Sequence, residues 1–115
     1  MEMDKSLISR SMVMLVLKLL EDRDMYGYQM VNELRRRSDD SFHLKAGSLY
    51  PLLYSLEEKG YVTSFETVSD DNRARRYYHL TKTGGKVLRE KESAWENYAN
   101  AVRRVLRGGA CCAEV

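Results

Sequence analysis

The sequence predicts a mainly α-helical fold with one small β-hairpin, and three observations support this class. Apolar residues recur at spacings of three and four along residues 6–20, 25–37 and 47–59, which is the periodicity of amphipathic helices. Two short runs rich in β-branched and aromatic residues follow, joined by turn formers. A fourth helical pattern then extends to residue 107. A chain of 115 residues is one domain with a modest core, so a partner subunit would help to bury it.

The first helix is apolar on more than one face. Its main stripe consists of Leu7, Ile8, Met12, Leu15, Val16, Leu19 and Leu20. Val13, Met14 and Leu17 add a second apolar face, which one stripe against one small core does not explain. We therefore expect this helix to pack on two sides, with a second subunit on one of them.

The second helix is predicted to be capped by Asp24 and to bury one apolar face. That face comprises Tyr26, Met30, Val31 and Leu34. Three arginines, 35 to 37, stand at the negative end of the helix dipole, and Asp39 and Asp40 follow closely enough to screen them. We therefore do not expect these arginines to form a binding patch.

The third helix carries a leucine stripe at positions 49, 52, 53 and 56. Pro51 is tolerated if it falls in the first turn, so the helix is predicted to begin near Gly47 or Ser48 and to end at Gly60. Burial of the leucines leaves Ser48, Tyr50, Pro51 and Tyr54 exposed near the helix N-terminus.

The hairpin is predicted to have a basic tip. Its strands are "YVTSFETV" and "RRYYHL", and "SDDNRA" forms the turn. From residue 72 to residue 89 the chain has six Lys or Arg residues and no Asp or Glu. Tyr78 and Leu80 should point inward and hold the hairpin on the core.

The last helix should open at Thr81 or Thr83 and expose an apolar seam. The seam consists of Leu88, Trp95, Tyr98, Ala99, Val102, Val105 and Leu106. No later element can cover it, so it requires another helix. We expect three parts: a winged helix-turn-helix domain over residues 1–81, a dimerisation helix over 82–107, and a disordered tail over 108–115.

Three helices, a hairpin and a closing helix form the plan of a winged helix-turn-helix, whose third helix enters the DNA major groove. Three motifs in this order, "YGYQM", "GSLYPLLYSLEEKGYV" and "RRYYHLTKTGGKVL", resemble the PadR family of bacterial transcriptional regulators over residues 7 to 106. The resemblance implies a homodimer on a palindromic site, with Tyr50 and the wing arginines at the DNA. Ser48 departs from the Thr that is common in the family, and the wing is short.

Together, the pattern and the resemblance predict three groups of site residues. The DNA-binding residues are Lys45, Ser48, Tyr50, Tyr54, Arg73, Arg75 and Arg76. The dimer-interface residues are Leu15, Leu88, Trp95, Tyr98, Val102, Val105 and Leu106. A small hydrophobic or aromatic effector would contact Trp95, Ile8 and Met12 in a cavity at the dimer interface. The expected function is a repressor that leaves its operator when the effector binds.

Other chemistry has little support in the sequence. His43 and His79 have no metal-ligand partners at suitable spacing, and no acid–base or nucleophile arrangement is visible, so no metal, cofactor or enzyme activity is expected. "TGGK" at 83 to 86 lacks the residues of a phosphate loop. Cys111 and Cys112 are read as inert thiols. The apolar run near Met12 is too short to cross a bilayer, which predicts a cytoplasmic protein.

Two alternative functions stay open at this point. A winged helix can serve as a protein-interaction module, whose basic wing would dock an acidic protein partner. The chain could also be a ligand-binding protein whose DNA contact is secondary. Trp95 likewise has a simpler interpretation, as an aromatic residue packed in a subunit interface.

Overall fold

A computed structural model of the chain describes the backbone of residues 5–108 and the side chains of residues 11–108. The helices are α1 (Lys5–Asp22), α2 (Gly27–Arg37), α3 (Ala46–Glu58) and α4 (Lys82–Leu106), and the strands are β1 (Met25–Tyr26), β2 (Val62–Val68) and β3 (Ala74–Leu80). This arrangement confirms the expected class of a mainly α protein with a small β element. Ile8, whose side chain was expected at an effector, and both cysteines lie outside the described side chains.

Helix α1 contacts three other elements, α2, β3 and α4. Val16 and Leu17 have no exposed surface, although the sequence placed them on different faces of the helix. Val13, Met14 and Leu15 are half-buried against the same core. Much of the second apolar face of α1 is therefore buried within the chain itself.

The sheet has three antiparallel strands in the order β1-β3-β2, one strand more than expected. Met25 pairs with Tyr78 and Tyr26 pairs with Tyr77. The prediction that Asp24 caps α2 is wrong. The helix begins at Gly27, where the Tyr26 N–H donates to Gln29 Oε1 at 3.1 Å, and Asp24 Oδ1 lies 2.7 Å from His79 Nδ1.

Helix α3 begins at Ala46, slightly earlier than the sequence suggested, which places Pro51 in the second turn. Pro51 cannot donate to the carbonyl of Gly47, four residues back. Gly47 is exposed, so solvent can satisfy that carbonyl. The other end is closed as expected, because after Gly60 the Tyr61 N–H donates back to the Leu56 carbonyl at 2.9 Å.

Helix α4 begins with the hydroxyl of Thr81, which accepts from the Gly84 N–H at 3.0 Å and donates to the Gly60 carbonyl at 2.7 Å. A Cβ at Gly84 would lie 2.0 Å from the Tyr61 carbonyl oxygen. The "TGGK" stretch is thus the start of α4, as the sequence predicted, and its first glycine permits close packing of α4 on the chain that follows α3.

Candidate nucleic-acid interface

Helix α3, called the recognition helix below, presents a polar and aromatic surface opposite its buried stripe. Leu49, Leu53 and Leu56 are buried in the core, whereas Lys45 and Ser48 are exposed. Tyr50 is 49% and Tyr54 65% exposed. The four residues expected to approach DNA from this helix are therefore all accessible, from Lys45 just before its first turn to Tyr54 in its second half.

The position of Tyr50 is set by the neighbouring helix. A Cβ at Gly27, the first residue of α2, would lie 2.4 Å from the Tyr50 hydroxyl oxygen. The Tyr50 ring therefore rests on the N-terminus of α2. Sequence reasoning missed this role of Gly27, although its place in "YGYQM" was part of the family resemblance.

The wing, defined here as β2, β3 and the turn between them, ends in a tight turn. The Ser69 N–H donates to the Arg73 carbonyl at 2.9 Å, and the Asn72 N–H donates to the Ser69 carbonyl at 2.9 Å. Asn72 has a φ of 64°, a left-handed conformation that Asn tolerates better than most residues. This turn brings Arg73 to the tip of the wing.

The three wing arginines have different surroundings. Arg73 is 75% exposed in its side chain and lies 4.0 Å from the Asp71 carboxylate. Arg75 Nη2 donates to Asp71 Oδ2 at 2.7 Å, and its guanidinium lies 4.7 Å from the centre of the Tyr26 ring. Arg75 is only 27% exposed. Arg75 is thus the least exposed of the three and is held by a carboxylate and an aromatic ring.

Arg76 lies on the opposite face of β3 from Arg75 and connects through β2 to the recognition helix. Its Nε donates to Ser64 Oγ at 3.1 Å, and the Ser64 hydroxyl donates to Glu57 Oε2 at 2.7 Å. Arg76 is still 54% exposed, with Glu66 4.0 Å from its Nη1. This chain of contacts connects the wing to the last turn of α3, and sequence reasoning did not identify Ser64 or Glu57.

A buried tyrosine supports the same region. Tyr78 is 6% exposed and points inward from β3, as expected. Burial raises the pKa of its hydroxyl, while the nearby positive charge of Arg76 lowers it in part. Tyr78 therefore stays neutral and packs as a core residue behind the wing.

The arginines at the end of α2 are engaged in ion pairs. Arg35 pairs with Asp40 at 3.0 Å, and both Arg36 and Arg37 pair with Glu33. Hydrogen bonds from Arg36 and then Arg37 hold the pKa of Glu33 at about 2, well below its ordinary value of 4.5. The expected screening is present, but Glu33 supplies more of it than the two aspartates that the sequence suggested.

The residues expected at a dimer interface divide into two groups. Leu88 has no exposed surface and belongs to the core of the protomer, so its assignment to the interface is corrected. Trp95, Tyr98, Val105 and Leu106 are exposed by 46%, 59%, 77% and 79%. Leu15 and Val102 are half-buried. One side of the apolar seam of α4 therefore packs in the core of this chain, and the other side is exposed to solvent.

The expected effector site is only partly accessible in one protomer. Met12 is 6% exposed and packs in the core, which removes it from the accessible surface in this conformation. Trp95 is accessible, and its ring centre lies 6.3 Å from that of Tyr98. In the protomer, the surface that an aromatic ligand could contact is therefore on α4 rather than at Met12.

Metal and membrane roles find no structural support in the part of the chain that is described. No group of three or more His, Cys, Asp or Glu side chains there could hold a metal ion. His43 Nε2 lies 2.7 Å from the Asp40 carbonyl oxygen, and His79 contacts Asp24. None of the helices of residues 5–108 combines the length and apolar character needed to span a bilayer.

Comparison with known proteins places this architecture in one family. The model of the Transcriptional regulator PadR-like family matches residues 16–90, more than half of the chain. "Transcriptional regulator Rv3488" of Mycobacterium tuberculosis is 36% identical over 81 residues, which cover 70% of this chain and 72% of that protein.

Solved structures agree with that assignment. A PadR family transcriptional regulator from Eggerthella lenta has a TM-score of 0.76 and 34% identity, covering 88% of this chain and 86% of that one. A PadR family transcription regulator from Clostridium difficile has a TM-score of 0.74 and 30% identity, covering 84% and 98%. The chain therefore belongs to the PadR-like family of transcriptional regulators, which have a winged-helix DNA-binding fold and are not enzymes.

Proposed function

We propose that this protein is a homodimeric, sequence-specific DNA-binding repressor of the cytoplasm. The observation that carries the proposal is the exposure of Lys45, Ser48, Tyr50 and Tyr54 along the recognition helix, in a fold whose wing has an exposed arginine at its tip. A helix can read base edges in the major groove, and a wing arginine can reach phosphates or the narrow minor groove.

The charges of the protomer favour binding through this surface. The three arginines at the end of α2 are paired with Asp22, Glu33 and Asp40, whereas Arg73 has only a 4.0 Å contact with Asp71. Lys45 is exposed at the start of the recognition helix, whose N-terminus carries the positive end of the helix dipole. An anionic backbone would meet uncompensated positive charge here rather than on α2.

The shape of the protomer supports a dimer. Its radius of gyration is 17.2 Å. A compact chain of this length would have a radius of gyration of about 13 Å. The four exposed apolar side chains of α4 are left uncovered by the protomer. A second copy that covers them with its own α1 and α4 would place two recognition helices on successive major grooves of a palindrome.

Regulation would act through the same interface. A small planar, hydrophobic ligand stacked on Trp95 would alter the spacing of the two recognition helices. Its effect is limited by its differential affinity for the DNA-competent and DNA-incompetent dimers. The operator would lie near the protein's own gene, or near an efflux or stress gene.

Selection of duplexes from a random-sequence library by the purified protein tests the proposal without knowledge of the operator. We expect enrichment of a palindrome whose half-sites are centred about 10 base pairs apart. A protein with Tyr50→Ala and Tyr54→Ala should enrich no sequence, while Arg36→Ala, which changes a neutralised arginine, should enrich the same palindrome. Failure of the wild type to enrich any sequence would contradict the proposal and favour a wing that docks an acidic protein.

A further inference from the structure

The turn of the wing is organised around two side chains, Ser69 and Asp71. Ser69 is 8% exposed and its hydroxyl lies 3.2 Å from the Arg73 carbonyl oxygen and within hydrogen-bonding distance of the Asp71 carboxylate. The Ser69 hydroxyl, and then the Arg75 guanidinium, hold the pKa of Asp71 at about 2. Asp71 is therefore anionic at neutral pH, in a turn that also contains Asp70 and leads into the three wing arginines.

Arg75 connects this turn to the body of the domain. One edge of its guanidinium is on the Asp71 carboxylate at 2.7 Å, and its face is 4.7 Å from the Tyr26 ring. Its Nε atom is buried and has no hydrogen-bond partner among the described residues. Tyr26 in turn packs edge-on against Tyr77 at 5.3 Å and directly precedes α2. The contacts of Arg75 thus run from the wing tip to the start of α2.

The geometry makes Arg75 a poor candidate for a phosphate contact. Its guanidinium already contacts a carboxylate and an aromatic ring, and its side chain is only 27% exposed. Arg73, two residues earlier, is 75% exposed and would lose only a 4.0 Å contact. A guanidinium held between a carboxylate and a ring is suited instead to fixing the position of a loop.

We propose that Arg75, with Asp71 and Tyr26, is a positioning residue that holds the wing in place for DNA, and that Arg73 makes the phosphate contact. This inference rests on the DNA-binding function proposed above. It reassigns one of the three wing arginines, because the basic tip then supplies fewer charges to DNA than its sequence suggests. It also explains a negative charge near DNA: Asp71 would be repelled by phosphates, but it holds Arg75 in position.

Lysine substitutions separate the two roles. A phosphate contact tolerates Lys, because an ammonium group supplies the same charge, whereas a planar contact with a carboxylate and a ring does not. DNA affinity would be measured across salt concentrations for the wild type and for Arg73→Ala, Arg73→Lys and Arg75→Lys. The selected palindrome and the full-length dimer would be used throughout.

The expected results differ for the two arginines. Arg73→Ala should reduce the salt slope by about 0.9, and Arg73→Lys should restore it. Arg75→Lys should weaken binding on the order of tenfold with the salt slope unchanged, because charge is kept and preorganisation is lost. Asp71→Asn should also weaken binding. Wild-type affinity in Arg75→Lys, or tighter binding in Asp71→Asn, would overturn the inference.

Amide hydrogen exchange supplies a readout that does not depend on DNA. The N–H groups of Ser69 and Asn72 close the wing turn and should exchange faster in Arg75→Lys and Asp71→Asn than in the wild type or Arg73→Lys. Equal protection in all four proteins would overturn the positioning role. If the wild type bound no DNA but the amides of Ser69 and Asn72 still exchanged faster in Arg75→Lys and Asp71→Asn, the proposed DNA-binding function would be wrong. The role of Arg75 in holding the wing turn would then still be supported.

Discussion

The Tyr50 side chain rests on Gly27, so that a Cβ at position 27 would lie 2.4 Å from the Tyr50 hydroxyl oxygen and 2.8 Å from its Cζ. These residues belong to the recognition helix and to the first turn of α2. The recognition helix and α2 are thus in contact at a point where a side chain on residue 27 would not fit. The orientation of Tyr50 depends on this missing Cβ.

Gly27→Ala should impair DNA recognition with little effect on stability. Tyr50 is 49% exposed, so its ring can swing toward solvent, and we expect unfolding to change by less than about 1 kcal/mol. Affinity for the selected palindrome should fall, as it should in Tyr50→Ala. Binding by Gly27→Ala, Tyr50→Ala and the double variant would be measured by fluorescence anisotropy. Additive losses would show that Gly27 does not act through Tyr50.

Gly84→Ala should destabilise the fold, whereas Gly85→Ala should not. The Cβ at position 84 would meet the backbone carbonyl oxygen of Tyr61 at 2.0 Å, which cannot move aside cheaply. We expect a cost of about 1–3 kcal/mol or more in urea unfolding. At Gly85 the nearest atom is 3.7 Å away, so its variant should match or exceed wild-type stability. Equal stability of the two variants would contradict the close packing of α4 on the residues after α3.

The ion pairs of Glu33 predict a dependence of stability on pH. Because the folded pKa of about 2 lies below the ordinary value of 4.5, the contribution of Glu33 is complete above pH 4.5 and is lost as pH falls toward 2. The stability difference between the wild type and Glu33→Gln should therefore shrink over this range in urea unfolding. Arg35→Gln, which removes a neighbouring arginine paired with Asp40, should leave that difference intact. A difference independent of pH would contradict the assignment.

Leu106→Glu should dissociate the proposed dimer. Leu106 is 79% exposed in the protomer, so a charge there costs the protomer little and would be buried only in an assembly. Asn97→Glu adds the same charge on the opposite side of α4, since nine residues correspond to about half a turn. Sedimentation should find a monomer for the first variant and a dimer for the second. A dimer in both would place the interface elsewhere.

The regular elements could be predicted from the sequence because their periodicity records which side is buried. Leu49, Leu53 and Leu56 lie in the core as the stripe on α3 indicated, and Thr81 caps α4. Strand β1 could not be predicted, because two residues are too short for an alternating pattern and form a strand only by pairing with β3. The role of Asp24 could not be predicted either, because its side chain contacts His79, which is 55 positions away along the chain. Local sequence shows only an aspartate before a helix, which is typical of a helix cap.

The sequence predicted which residues lie in the candidate site but not which contacts they make. The sequence indicated that Arg73, Arg75 and Arg76 lie in a wing, and the structure places all three there. That Arg75 is held by Asp71 and Tyr26 depends on the register of β1 and β3, which no local pattern encodes. Leu88 and Trp95 share one seam in the sequence. Only the packing of α4 on its own protomer separates the core residue from the exposed one.

The most direct test of the central claim is fluorescence anisotropy of the purified protein on DNA from upstream of its own gene, beside a scrambled duplex, at several salt concentrations. We expect tight, selective binding to the upstream duplex, with an affinity that falls steeply as salt rises. Weak and equal binding to both duplexes, together with failure to enrich any palindrome from the random library, would contradict the account of a DNA-binding repressor.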